Sequence, residues 1–247
     1  MKQYLSAIIM LAMVLQGVQA QDTKSEEKPG GWDFELPSFK VGKAKKHVIG
    51  EKTISFGGSF GFGFITGINE AKDVDIDMGQ SFELEWSDAF SYEVCIGKRD
   101  FLHVGLGFDW RNYRVTDFKM FQKDEHGIIS MQNYPEGTEP KFSRIHTFSL
   151  TFPIQYCHYL NKKVRFAVGP ELYITPYGSL KTRFYEDGEK RKLTAGNVHQ
   201  SVVTLGVRAE IMISHFGIYY KYNPFNVLKS NYGPKFSSMT VGLMVGF

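Results

Sequence analysis

Ten charged residues stand at alternate positions inside otherwise apolar segments: Glu83, Glu85, Glu93, Asp109, Arg111, Arg165, Glu171, Arg208, Glu210 and Lys221. Carboxylates set beside cations can exchange protons with a substrate, or they can neutralise one another as ion pairs in a closed interior. His103 shares parity with Asp109 and with several serines, the residue types of a hydrolase or an acyltransferase. No local signature accompanies them, so the charges are expected to fill an interior as structural ion pairs, and the chain is expected not to be an enzyme. The run from Gly57 to Gly63 superficially matches a phosphate-binding glycine loop, but alternate Phe residues occupy it and no helix follows. The seven histidines are scattered without i,i+2 or i,i+4 spacing, so neither a metal nor another cofactor is expected.

The elements that must position these residues have a period of two. Phe82, Leu84, Trp86, Phe90, Tyr92, Val94 and Ile96 fall on one face, with Glu83, Glu85, Ser87, Ser91, Glu93 and Cys95 on the other. A helix would scatter these positions around its circumference, whereas a strand sorts them. Asp88 alone breaks the pattern, as a bulge or a rim position would. The same alternation predicts strands near 54–64, 102–111, 147–157, 164–174, 203–213, 216–222 and 238–247, eight in all. The glycines of the first are expected to let it curve and to leave interior space opposite larger residues.

The connections alternate in length. They are long after strands one, three, five and seven, at about 69–79, 116–140, 181–197 and 225–234, and tight after two, four and six. Together with strands of about 9–11 residues, this is the pattern of an all-β, eight-stranded antiparallel up-and-down transmembrane barrel. An eight-stranded barrel is just wide enough for side chains, so no large open channel is expected. A soluble lipocalin-like barrel would turn its apolar faces inward. Here the opposite face mixes Gly and Ser with charges of both signs, while each apolar face is rich in Phe, Leu and Val and suits lipid. Trp86, Trp110, Tyr156, Tyr220 and Tyr222 are candidates for aromatic girdles.

Residues 1–20 read as a signal peptide, with Lys2, an apolar run from Leu5 to Leu15, and Val18 and Ala20 before the cut. Residues 21–51 read as a polar N-terminal periplasmic extension, and 52–247 as the barrel. The formal charge of +3 over 247 residues gives no hint of a nucleic-acid partner. Cys95 and Cys157 are placed inward on strands separated by a third, about 10 Å apart at ~4.8 Å per strand. That is too far for a disulfide, so both thiols are expected to be free.

The final segment, with Val241, Leu243, Val245 and the terminal Phe247, resembles the C-terminal assembly signal of outer-membrane proteins. His146 to Tyr156, with Leu150, Pro153 and Ile154, resembles a strand of the PorT-like outer-membrane barrel family of Bacteroidota. Ala167-Val168-Gly169-Pro170-Glu171-Leu172 is similar to that family's following strand. The resemblance implies a barrel in the outer membrane of a Gram-negative bacterium, surrounded by lipid and inserted by the barrel-assembly machinery. Together with the residue pattern it leads to a structural or interaction barrel, with an extracellular or periplasmic protein as its partner. The alternatives are a narrow solute channel or export component, and, behind these, an enzyme acting on lipid.

Overall fold

The computed structural model describes residues 49–247 apart from 72, 73 and 117. The leader and nearly all of the polar extension lie outside the described residues.

Twelve strands follow in chain order: β1 (Lys52–Phe56), β2 (Ser59–Ile68), β3 (Phe82–Cys95), β4 (Asp100–Arg114), β5 (Lys119–Lys123), β6 (Ile129–Asn133), β7 (Glu139–Tyr159), β8 (Val164–Glu186), β9 (Glu189–Gly196), β10 (Val203–Ile213), β11 (Phe216–Asn223) and β12 (Ser237–Gly246). Going round the wall, β2, β3, β4, β7, β8, β10, β11 and β12 each pair antiparallel with the next, and β12 pairs back onto β2. The barrel is therefore closed, eight-stranded, antiparallel and up-and-down, and closure leaves no unpaired edge around the ring. β1 continues the line of β2 along β3, with Gly57 and Gly58 between them.

Those two glycines and Asp88 make one local feature. Gly57 and Gly58 both have positive φ, and a Cβ on Gly58 would fall 2.0 Å from the Ser87 carbonyl oxygen. Opposite them the β3–β4 register shifts between Trp86 and Phe90, and Asp88 itself has φ 55. Ser87, Asp88 and Ala89 face only Gly107 on β4, so two extra residues are absorbed and parity is kept. Phe90 thus stays on the face of Trp86, while Asp88 is turned inward and buried.

All eight expected strands are present, with tight turns at one end of the barrel and long connections at the other. The connections at the loop end are more ordered than their composition indicates. β5 and β6 form a separate hairpin inside the 116–140 segment. The 181–197 segment, read as a polar loop, is instead the continuation of β8 and its partner β9, registered from Ser179–Gly196 to Glu186–Glu189. β7 and β8 reach 21 and 23 residues, about twice the length a tilted strand needs to cross a membrane.

Candidate functional site: a charged lumen beneath an apolar cap

Each wall strand turns alternate side chains inward, and at mid-height these are polar. Glu83 and Glu85 come from β3, Asp109 and Arg111 from β4, Glu171 from β8, Arg208 and Glu210 from β10 and Lys221 from β11. All eight are no more than 4 % exposed. The register fixes their neighbours: Glu83 lies opposite Arg111, Glu85 opposite Asp109, and Arg208 opposite Lys221.

Arg208 is the hub. Its Nη1 and Nη2 donate to the two oxygens of Glu85 at 2.7 and 3.0 Å, and its Nε donates to Glu210 Oε2 at 2.9 Å. Glu171 Oε1 lies 3.7 Å from the same guanidinium. Lys221 Nζ sits among three carboxylates, 2.5 Å from Glu85, 2.9 Å from Glu83 and 3.5 Å from Asp109. Arg111 joins Glu83 at 2.8 Å and Asp109 at 2.9 Å. Tyr173 donates its hydroxyl to Glu171, and its ring lies 4.6 Å beneath the Arg111 guanidinium. The Tyr219 ring, 5.2 Å from Arg208 and 5.4 Å from Lys221, lies where glycine leaves room: a Cβ on Gly61 or Gly242 would press within 3 Å of the ring, and one on Gly63 within 3 Å of its hydroxyl.

Toward the turn end the network continues. Arg165 Nη2 binds Glu210 at 2.5 Å, and Nη1 lies 3.5 Å from Glu93. His103 holds a carboxylate on each ring nitrogen, Asp88 on Nε2 at 2.9 Å and Glu93 on Nδ1 at 3.1 Å. That arrangement suits the imidazolium, which carries an N–H donor on both nitrogens. All ten charged residues singled out in the sequence are thus in one connected network. His103 and Asp88 complete it, and Asp88 was legible only as a break in the pattern. Seven carboxylates face four Arg and Lys side chains and one histidine, so the lumen carries more acid than base.

His103, Glu93 and Cys157 bring one nitrogen, one oxygen and one sulfur within 4.8 Å of each other. Histidine spacing gave no sign of this juxtaposition, because the three residues come from three strands. With both imidazole nitrogens already facing carboxylates, the ring is arranged as an ion-pair partner rather than as a ligand. Cys95 and Cys157 are free, buried thiols in a small apolar cluster with Phe101 and Ala167 that closes the turn end.

At the loop end the interior changes character. Ile65, Tyr113, Ile145 and Leu180 point inward from the strands and meet Val74, Ile76, Val115, Phe121, Ile129, Val198, Leu228 and Phe236 from the connecting segments. This is a hydrophobic core of its own, and no periodic pattern announced it. Phe121 is held by its backbone N–H, which donates to Ser143 Oγ at 2.8 Å, while Ser143 is joined to Thr182 at 2.7 Å. Between cap and charged layer lies a cavity of about 20 Å³ lined by Arg111, Tyr113, Thr147, Ser149, Tyr173 and Thr175, among others. That is room for about one water.

The outward face is the complement. Phe60, Phe62, Phe64, Leu84, Leu102, Val104, Ile154, Leu205, Val207, Ile211, Ile218, Val241, Leu243 and Val245 are each 38–66 % exposed. Trp110, Tyr156 and Tyr220 stand among them. Phe247 joins this face, its ring 5.4 Å from Phe60 and its backbone N–H bonded to the Gly58 carbonyl at 3.2 Å.

No family model matches the chain, and no curated protein does. Among solved structures, the crystal structure of Neisserial surface protein A (NspA) is similar over 79 % of this chain and 99 % of that one, at 13 % identity and a TM-score of 0.39.

Proposed function

We propose that the chain is a small outer-membrane barrel with a plugged lumen, whose role is structural or interactive and is exercised at its loop end. The observation that carries this reading is an inversion of polarity along single strands. On β7 the outward residues are Phe148, Leu150, Phe152 and Ile154, against inward Thr147, Ser149, Thr151 and Gln155. Toward the loop end the outward residues become His146 and Arg144, and the inward ones become the fully buried Ile145 and then Ser143, which is bonded within the cap. β8 turns over at the same level, from Leu172 and Ile174 outside with Glu171 and Tyr173 inside, to Lys181 and Arg183 outside with Leu180, Thr182 and Phe184 inside. A strand that is apolar outside and polar inside belongs in lipid, and one with the reverse order belongs in water. An apolar surface encircling the ring is also far larger than the patches a soluble monomer exposes.

On this reading the tight turns and Phe247 face the periplasm and the cap faces outward. The leader pattern of residues 1–20 supports export, and the terminal aromatic supports recognition by the assembly machinery. The motifs around Pro153 and Gly169-Pro170 support the PorT-like family as its kin. Structural ion pairs account for every charged lumen residue without a catalytic role, and a protein partner would meet the outer connections. A narrow channel is the competing reading. The apolar cap and the ion-paired layer, both made of buried side chains, weigh against it.

Two measurements test the proposal. Protein refolded into lipid should run faster on a gel unheated than boiled, and mobility unchanged by boiling would refute the membrane barrel. In planar bilayers the protein should give no steady large openings; such openings would overturn the plugged lumen.

A further inference from the structure

Where the polarity of β7 and β8 turns over, the outward face is not merely polar but basic. The line Trp110–Phe148–Tyr177, paired across β4, β7 and β8, is the last row made up wholly of aromatics. Four residues farther along, the paired row is Arg114–Arg144–Lys181, with Thr194 next to it on β9. One row beyond, Phe142 pairs with Arg183, and Arg183 with Lys192. At about 3.4 Å per residue along a tilted strand, the first basic row stands roughly 10 Å above the aromatics. With the aromatic row just inside the hydrocarbon core, the first basic row reaches the headgroup layer, which is roughly 5–7 Å deep on each side.

Among the described residues, no carboxylate lies within 4 Å of Lys181, Arg183 or Lys192. The guanidinium groups of Arg114, Arg144 and Arg183 crowd one ring, 5.2–5.5 Å from the centre of Phe142. Glu139 stands one row farther out, opposite Tyr185. The Lys181 ammonium is pushed below its ordinary value, first by partial burial and then by the charges of Arg183, Arg144, Lys192 and Lys190. Like charges held together on a rigid sheet repel one another, and that repulsion is relieved by an anion with several acceptor oxygens, as a phosphate has.

We propose that the outward patch of Lys181, Arg183 and Lys192, flanked by Arg114 and Arg144, binds the phosphate-bearing headgroup of an outer-leaflet lipid. The inference rests on the membrane reading above and adds a lipid class and a side of the barrel to it. A lipid is favoured over a soluble partner because the patch continues the lipid-facing wall and begins where the aromatic row ends, so acyl chains below and phosphate above are met together.

The test uses the mature full-length chain refolded into vesicles of equal parts phosphatidylcholine and phosphatidylglycerol, followed by gentle detergent release and native mass spectrometry. The wild type should retain the anionic lipid in preference to the zwitterionic one. The combined Lys181→Gln, Arg183→Gln, Lys192→Gln variant should lose that preference by on the order of 100-fold, the product of three surface charges. A Lys181→Arg, Lys192→Arg variant should keep it. Equal retention of both lipids by the wild type, or unchanged retention by the triple variant, would overturn the proposal. So would stripping of the lipid by an equal concentration of inorganic phosphate, which would mark a free-anion site. Failure of the wild type to enter pure phosphatidylcholine vesicles would be a different failure, that of the membrane reading itself, and this inference would fall with it.

Discussion

Above the small apolar cluster at the turn end and up to Arg111 the inside of the barrel is charged, while from Tyr113 outward it is mainly apolar, and the same strands build both regions. The charged part is ordered by register: each side chain has its partner because two strands are paired in one alignment. The cap is ordered by convergence, with single apolar residues arriving from four separate connections. One interior therefore depends on electrostatic complementarity in a place water does not reach, and the other on ordinary hydrophobic burial. The two should fail differently when cut.

The sharpest way to separate them is to remove the hub of the charged layer. Arg208→Met leaves Glu85, Glu210 and Glu171 buried with a cation missing. It is expected to destabilise the barrel by about 3–5 kcal/mol, the usual cost of orphaning a buried charge. The readout is the urea midpoint of the transition between fast and slow gel mobility in lipid. Replacing Glu85 by Leu together with Arg208→Met should recover part of that loss, because one of the stranded carboxylates goes too. Full stability in the single variant would show that the ion pairs do not hold the layer together.

The cap should respond locally. Leu228 is fully buried in it, and Leu228→Ala removes packing worth about 2–4 kcal/mol. Because Leu228 lies in a connection outside the closed ring, the loss is expected in the outer connections alone. Protease should cut the segments 69–81 and 224–236 faster while heat-modifiable mobility is unchanged. A fall in barrel stability as large as that from Arg208→Met would mean that the two interiors form one cooperative unit.

What the sequence made legible follows the same division. Lumen residues recur every second position against an unbroken apolar face, so Glu83, Glu85, Arg208 and Lys221 could be placed, and even sided, without coordinates. The cap residues Val74, Phe121, Val198 and Leu228 sit in connections without a sustained period, and their coming together is a fact of closure rather than of local pattern. The outer halves of β7 and β8 were hidden for a related reason. Past Thr147 and Gly178 the outward face turns from apolar to basic, so Lys181, Arg183 and Lys192 take outward positions that lower down belong to Ile174 and Leu172. Polar density there reads as a loop, although the period of two survives with its polarity reversed. Asp88 showed itself only as an interruption, since a bulge that absorbs two residues keeps parity while turning one of them inward.

A carboxylate outside both interiors gives the smallest effect and calibrates the others. Asp100 lies at the tight-turn rim, where Tyr156 donates to its Oδ1 at 2.5 Å and His158 Nδ1 lies 2.7 Å from the same oxygen. The Tyr156 hydrogen bond first, and the His158 one after it, hold the carboxyl below its ordinary value. A carboxylate depressed in the folded state adds stability above the unfolded value, near pH 4, and loses it as pH falls through the folded one. Wild type and Asp100→Asn should therefore differ by a small constant amount from pH 8 down to about 5, and converge below about pH 4. Being solvated, the group should show a gap far smaller than that of Arg208→Met. If the two gaps were comparable, burial would not be what makes the lumen charges matter, and the contrast between an enclosed network and a wet one would collapse.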